Sequence, residues 1–250
     1  MLKSLPYIVL LFSSLSFNAM AADKENSVVI PAFNAQYTIL RNNKAIGEAT
    51  RKLSYLNNGL AKYSYQTEIE WLIFSDSRTE SSIVQLEGYK VTPTSYEYKR
   101  EGTGSNKYYK WRYDIANNSA IDEKKQQTKN IDFPENIQDS LSYHLQLRLN
   151  MITNSEQEHF VYPVIKTSGS IKNYVYQYDG EEELMLPYGL VKTIRLKREV
   201  VEKKRVTFAW FAPELDYLLV KLYQIKADIE QFEVQLKSVT NSDTVTALSK

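Results

Sequence analysis

Apolar and polar residues alternate along most of this chain with a period of two. Between 63 and 73 the odd positions carry Tyr63, Tyr65, Thr67, Ile69, Trp71 and Ile73, with Ser64, Gln66, Glu68 and Glu70 between them. Successive side chains of a strand point to opposite faces, so this segment predicts a strand that buries its odd face. The alternation returns at Tyr109, Trp111, Tyr113 and Ile115, at Val206, Phe208 and Trp210, and at Phe232, Val234 and Leu236. Turn formers separate the runs: Asn42-Asn43-Lys44, Asn57-Asn58-Gly59, Glu101 to Ser105 and Asp179-Gly180 each read as a hairpin connection. About a dozen short strands follow from this spacing. The expected fold class is mainly β: a curled antiparallel meander, an open or partly closed barrel, with one amphipathic helix.

The helix is the one break in the pattern. Ile137, Leu141, Leu145 and Leu149 recur every four residues after Pro134-Glu135-Asn136, a proline and acid pairing that suits a helix start. Its expected work is to plug or cover the concave apolar face of the sheet.

The N-terminus reads as an export signal. Lys3 supplies a positive n-region, Leu5 to Phe17 is mostly apolar, and Ala19-Met20-Ala21 places small residues for cleavage after Ala21. That apolar stretch is shorter than the ~20 residues a membrane helix needs, so no transmembrane anchor is expected. The domain plan is a signal peptide over 1–21, a lead-in over 22–32, one β-rich domain over 33–237 and a tail over 238–250. The expected location is the periplasm.

Composition adds limits. Tyrosine occurs 19 times and glycine 8 times, which favours strands. The chain has 31 Lys and Arg against 30 Asp and Glu; losing Lys3 with the signal leaves 30 against 30. Net charge therefore draws in neither nucleic acid nor an anionic surface. Cysteine is absent, which excludes disulfides, thiolate metal sites, thiol nucleophiles and a lipidated cysteine.

Five sequence pieces recur together in one order: FNAQY with IGEA (Phe33–Tyr37, Ile46–Ala49), PTSYEY (Pro93–Tyr98), QDSLSYHLQLRL (Gln138–Leu149), YVYQYDGEE with PYGLVKT (Tyr174–Glu182, Pro187–Thr193), and WFAPELDYLLVKL (Trp210–Leu222). In this the chain resembles a family of exported proteobacterial proteins catalogued as a domain of unknown function. The resemblance implies a periplasmic β-rich domain, a partly open barrel of the kind seen in lipid and lipoprotein carriers. It carries over no catalytic residue. The chain departs from the family pattern at Trp111-Arg112-Tyr113-Asp114 and at Leu219, where a proline is common.

No motif specifies a reaction, and no cofactor is expected. A zinc site would need both His144 and His159 with carboxylates, and both histidines read as surface or boundary residues. Asp139, Ser140, Ser142 and His144 do not make a triad on a helix: Ser140 shares a face with His144, but Asp139 turns away from both. Both serines read as solvated. Gly102-Thr103-Gly104-Ser105 leads into a strand and is a hairpin tip, not a phosphate loop. The runs Glu181-Glu182-Glu183 and Lys203-Lys204-Arg205 read as wet strand ends, and no carboxylate pair stands out for glycoside hydrolysis.

The aromatic faces remain. Ile69, Trp71, Trp111, Tyr113, Tyr174, Tyr176, Phe208 and Trp210 either fill the core or line a concave site for a lipid or other apolar ligand. The leading expectation is a non-catalytic binding protein gated by the helix. The rival is an envelope assembly protein with a closed core that recruits a protein partner by strand addition. A hydrolase acting on envelope glycans is the weakest reading.

Overall fold

A computed structural model describes residues 30–241. The expected cleavage site at Ala21 and the residues after Asn241 lie outside the described part.

Fourteen strands follow in sequence: β1 (Phe33–Arg41), β2 (Lys44–Tyr55), β3 (Leu60–Trp71), β4 (Phe74–Glu87), β5 (Lys90–Gly102), β6 (Lys107–Asp114), β7 (Ser119–Asp122), β8 (Gln127–Asn130), β9 (His159–Ile165), β10 (Ile171–Leu186), β11 (Gly189–Val200), β12 (Arg205–Ala212), β13 (Leu218–Lys226) and β14 (Ile229–Asn241). The single helix, α1 (Ser142–Thr153), lies between β8 and β9. All strands join one antiparallel sheet in the order β8-β7-β6-β5-β4-β3-β2-β1-β14-β13-β12-β11-β10-β9. Two meanders, β1 to β8 and β9 to β14, are thus sewn together where the first strand pairs the last. The sheet curls but its edges, β8 and β9, do not pair. It is an open barrel, as the periodicity implies. The turn after β9 folds back to the far meander, where Lys129 donates to the Ser168 carbonyl at 3.4 Å.

Burial follows the alternation in β3 and β6: Tyr63, Thr67, Trp111 and Tyr113 are buried, and Gln66, Glu68, Arg112 and Asp114 are exposed. Three expectations are corrected. Asp179-Gly180 is not a hairpin turn. β10 runs through it, with a register shift between Tyr178 and Glu181, and Gly180 takes φ 113°. A glycine inside a strand marks a bulge as readily as a turn, and the chain reverses at Pro187-Tyr188 instead. Ile73 is not on a buried face, because β3 ends at Trp71 and the chain turns there. In β12 both faces are covered. Trp210 and Ala212 share a buried cluster with Leu186 and Val191, while Ala209 and Phe211 pack in the cluster that holds Tyr143, Leu147 and Met151 of α1.

The helix also begins later than its periodicity suggests. Gln138 forms a bridge to β9: its amide donates to the Pro163 carbonyl and its carbonyl accepts from the Ile165 amide, each at 2.8 Å. Asp139 then accepts from the amides of Leu141 and Ser142 at 2.8 and 2.7 Å. A helix start leaves its first amides without backbone partners, and the Asp139 carboxylate fills that need. Ile137 and Leu141 still reach the core, but from the segment that leads into the helix, with Leu141 as its N-cap. Ser142 is fully buried rather than solvated: it accepts from the Asp139 amide and donates to Gln138 Oε1. The helix is buried on nearly all sides, with Leu145 and Leu149 in one cluster and Leu147 and Met151 in the other.

β14 continues to Asn241, past Lys237, where the sequence plan ends the domain.

A polar cavity beneath the helix

Strands leave room between the sheet and α1 for a cavity of about 220 Å³. Leu141, Leu219, Leu222, Phe232 and Val234 supply apolar wall. The rest is unusually polar for a barrel interior: Arg51, Glu80, His144, Arg198 and the tyrosines 37, 65, 143 and 176.

Arg51 sits between Ala49 and Leu53 on the inward face of β2 and is only 6% exposed. Among the described residues no carboxylate pairs with it and no acceptor takes a hydrogen bond from it. Its guanidinium lies 5.8 and 5.2 Å from the ring centres of Tyr63 and Tyr65. Burial works against its charge, but the hydroxyls of Tyr63, Tyr37, Tyr65 and Tyr143 together outweigh that, so its proton affinity is raised. It stays a cation. An unpaired buried charge is costly, and here its donors face the cavity.

Arg198, on β11, stacks 3.6 Å from the Tyr174 ring centre. Glu80, on β4, is the one acid on the wall; burial pushes its carboxyl upward, against a 3.1 Å hydrogen bond from Tyr96. Behind it Asp139 is wholly buried and likewise raised by burial, while accepting from Ser82 and from the helix start. His144 is pushed well below its ordinary value, by burial first and then by Arg51 and Arg198, so the imidazole is neutral. His144 is partly exposed, and its accessible part faces the cavity. The Tyr143 and Tyr176 hydroxyls meet at 3.3 Å. Two guanidiniums against the single carboxyl of Glu80 give this cavity an excess of cationic groups beside its apolar walls.

The arrangement is not a hydrolytic triad. Ser140 and His144 both reach the cavity without a hydrogen bond between them, and Asp139 is committed to Ser82 and the helix start. Among the described residues no cluster of three or more His, Asp or Glu could hold a metal ion. His159 is exposed at the start of β9.

The eight aromatic and aliphatic positions singled out from sequence do not converge. Tyr176 lines the cavity, and Tyr174 stands beside it between Lys166 and Arg198. Trp111 and Tyr113 are packed in the core, and Ile69 packs against it. Trp71 is on the exposed β3–β4 turn. Phe208 and Trp210 border an outer groove with Arg195 and Lys221, where Trp210 donates to Glu182 at 2.7 Å. Of the acids at that groove, Glu233 pairs with Lys221 and Glu182 with Arg195, while Glu230 accepts from the Asn42 amide. The residues that sequence reasoning missed are the charged ones. Arg51 between Ala49 and Leu53, and Arg198 two positions after Leu196, break an inward apolar face, and that break is the signal that could have found them.

Residues 59–237 match the family described as "Protein of unknown function (DUF3108)", and the chain belongs to it. No curated protein matches the chain in sequence. Among solved structures, a β-barrel-like protein of the domain of unknown function DUF1849 from Brucella abortus superposes with a TM-score of 0.59 at 7% identity, covering 87% of this chain and all (100%) of that one. A protein from Bacteroides fragilis described as exported, with a YmcC-like fold, gives a TM-score of 0.34 at 9% identity over 85% of this chain and 97% of that one. One from Parabacteroides distasonis, described as a lipoprotein, gives 0.32 at 9% identity over 84% of this chain and 96% of its own. The first likeness shows a shared barrel-like fold. Among the described residues no helix is long and apolar enough to cross a membrane.

Proposed function

We propose that this chain is an exported, periplasmic, non-catalytic binding protein whose cavity holds a small amphipathic anion. A carboxylate or phosphate head would meet Arg51 and Arg198, and a short apolar part would lie against Leu219, Leu222 and Phe232. The observation that carries the reading is the buried Arg51 guanidinium, which makes no direct ion pair or hydrogen bond with any described residue and lines the cavity. Small-molecule sites span about 300–1,000 Å³, so a 220 Å³ enclosure suits a compact ligand better than a full acyl chain. The lipid or other apolar ligand expected from the aromatic faces is narrowed here to one with a charged head. Support for export comes from the first 21 residues.

The test is native mass spectrometry of protein purified from the periplasm without detergent, followed by extraction and negative-ion analysis. A stoichiometric small anion, absent from an Arg51→Met variant that keeps its circular dichroism, is the expected result. A bare wild-type chain that also fails to bind a panel of short-chain fatty and aromatic carboxylates and their phosphate counterparts by calorimetry would sink the reading. Attention would then pass to a protein partner of the envelope.

A further inference from the structure

The β3–β4 turn consists of Trp71, Leu72, Ile73 and Phe74. Leu72 and Ile73 are 86% and 85% exposed, Phe74 54% and Trp71 39%. Leu72 has φ 57°, in the left-handed region where a two-residue hairpin favours glycine or asparagine. A turn needed only to reverse the chain would fold better with those residues. Four successive large apolar side chains at an exposed tip point to a surface that they enter.

Neighbouring turns supply the setting. The Thr103 amide donates to the Ser75 carbonyl at 2.8 Å, the Asn42 amide to Glu230 Oε1 at 2.6 Å, and the Ala227 amide to the Lys204 carbonyl at 2.7 Å. With the Gly47–Ile69 pairing, these bonds join the turns at 102–107, 71–74, 41–44, 226–229 and 200–205 into one rim. That rim carries Arg41, Lys44, Lys107, Lys203, Lys204, Arg205 and Lys226 against Glu202, Asp228 and Glu230. Val201 and Ile229 add exposed apolar surface. At the other end of the strands, the turns 55–60, 87–90, 114–119 and 212–218 carry Glu87, Asp114, Glu214 and Asp216 against Lys90. Among these turns, cations outnumber acids at one end of the strands and acids outnumber cations at the other.

We propose that this rim docks on the surface of an anionic lipid bilayer, with the 71–74 tip entering the boundary between headgroups and acyl chains. Apolar insertion together with cation attraction to anionic lipid is the usual physics of interfacial binding. The tip has both, since its apolar side chains stand on that rim beside the turn that carries Arg41 and Lys44. Trp71 stands at the base of the tip with the Arg41 guanidinium 4.9 Å from its ring, an aromatic and a cation placed for headgroup depth. The orientation also suits the cavity. α1 covers the acidic end, through Arg148 to the Leu215 and Asp216 carbonyls, whereas Arg198, Thr207 and Gln224 line the cavity two residues from the cationic rim. The docking stands without a cavity ligand.

The test is co-sedimentation of the purified protein with vesicles of phosphatidylethanolamine and phosphatidylglycerol, and separately with phosphatidylcholine vesicles. Wild type should pellet with the anionic vesicles and be released by salt, and Leu72→Ser with Ile73→Ser should weaken binding at least about tenfold. Both substituted residues are exposed, so the double variant should keep its melting temperature, and a Lys203→Gln, Lys204→Gln, Arg205→Gln variant gives an independent reading of the charge. Wild type left in the supernatant with anionic vesicles overturns the proposal, as does a double variant that binds equally well. A dimer in sedimentation velocity that dissociates in the double variant, without vesicle binding, assigns the tip to a second copy of the chain and also overturns it.

Discussion

Gln146 of the helix completes the hydrogen bonding of Val91 in the sheet: its Oε1 accepts from the Val91 amide at 2.8 Å. The other free group of Val91, its carbonyl, accepts from Gln138 Nε2 at 2.8 Å. β6 pairs with β5 only from Ser95 onward, so the first residues of β5 lack a strand on that side. Two side-chain amides stand in for it, and the same Gln146 amide donates to the Tyr89 carbonyl at 2.8 Å. The plug is held by strand-like bonds that come from a helix.

Gln146→Ala should therefore destabilise the fold by about 1–3 kcal/mol, the cost of a buried amide left without a partner. Urea unfolding should show a lower midpoint with an unchanged slope. A midpoint equal to wild type would mean that water serves Val91 equally well.

Arg51→Met should act in the opposite direction on the ligand-free protein. It replaces an unpaired buried cation by an apolar chain of similar length, with an expected gain of about 1–2 kcal/mol in thermal or urea unfolding. The same change should abolish binding of an anionic ligand. A destabilised variant would instead assign Arg51 a structural role through its contacts with Tyr63 and Tyr65.

Acid should weaken the fold through His144. Burial, then Arg51 and Arg198, hold its folded value well below ordinary, while the unfolded chain takes up the proton near pH 6.5. Its contribution is fully present above that pH and declines as pH falls below it, by at most about 1.4 kcal/mol per pH unit. Asp139 and Glu80, raised by burial, run the other way: their contribution is present below the ordinary carboxylate range and is lost as pH rises through their raised values. The difference between wild type and His144→Asn across pH 5 to 7 isolates the histidine. A flat difference curve would show that His144 takes up its proton as readily in the folded chain as in the unfolded one.

Leu147→Ala should cost about 3 kcal/mol. The side chain is fully buried between α1 and the cluster of Phe160, Tyr176 and Phe211. Calorimetry gives the check. A loss below about 1 kcal/mol would mean that the helix settles into the space, as a loosely seated plug could.

The fold was legible because its determinants are local. Alternation in β3 and β6, and the asparagine and glycine turns after β1, β2 and β5, specify hairpins that lie next to each other in sequence. Long-range covering was not legible. Nothing near β12 announces that the β10–β11 hairpin covers its second face, and nothing near Gln138 announces that β9 takes its backbone out of the helix. The site was obscured for a related reason. Aromatic side chains are the conspicuous candidates in the sequence, yet Trp111 and Tyr113 fill core, and the cavity is defined by charges on inward faces. Lys203-Lys204-Arg205 read as a wet strand end until its neighbours across the rim were known.

The pairing of β1 with β14 bears on how the molecule is made. Every other ladder joins strands adjacent in sequence, but Phe33 lies opposite Asn241. A chain synthesised from its N-terminus can zip β1 to β8 early, because those contacts are local and quick to form. β1 then waits with one edge bare until nearly the whole chain has arrived. During that interval the half-built sheet offers a strand edge to any other chain, the circumstance that favours aggregation. A holding chaperone that shields β1 until the final strand docks is what such an order of assembly calls for.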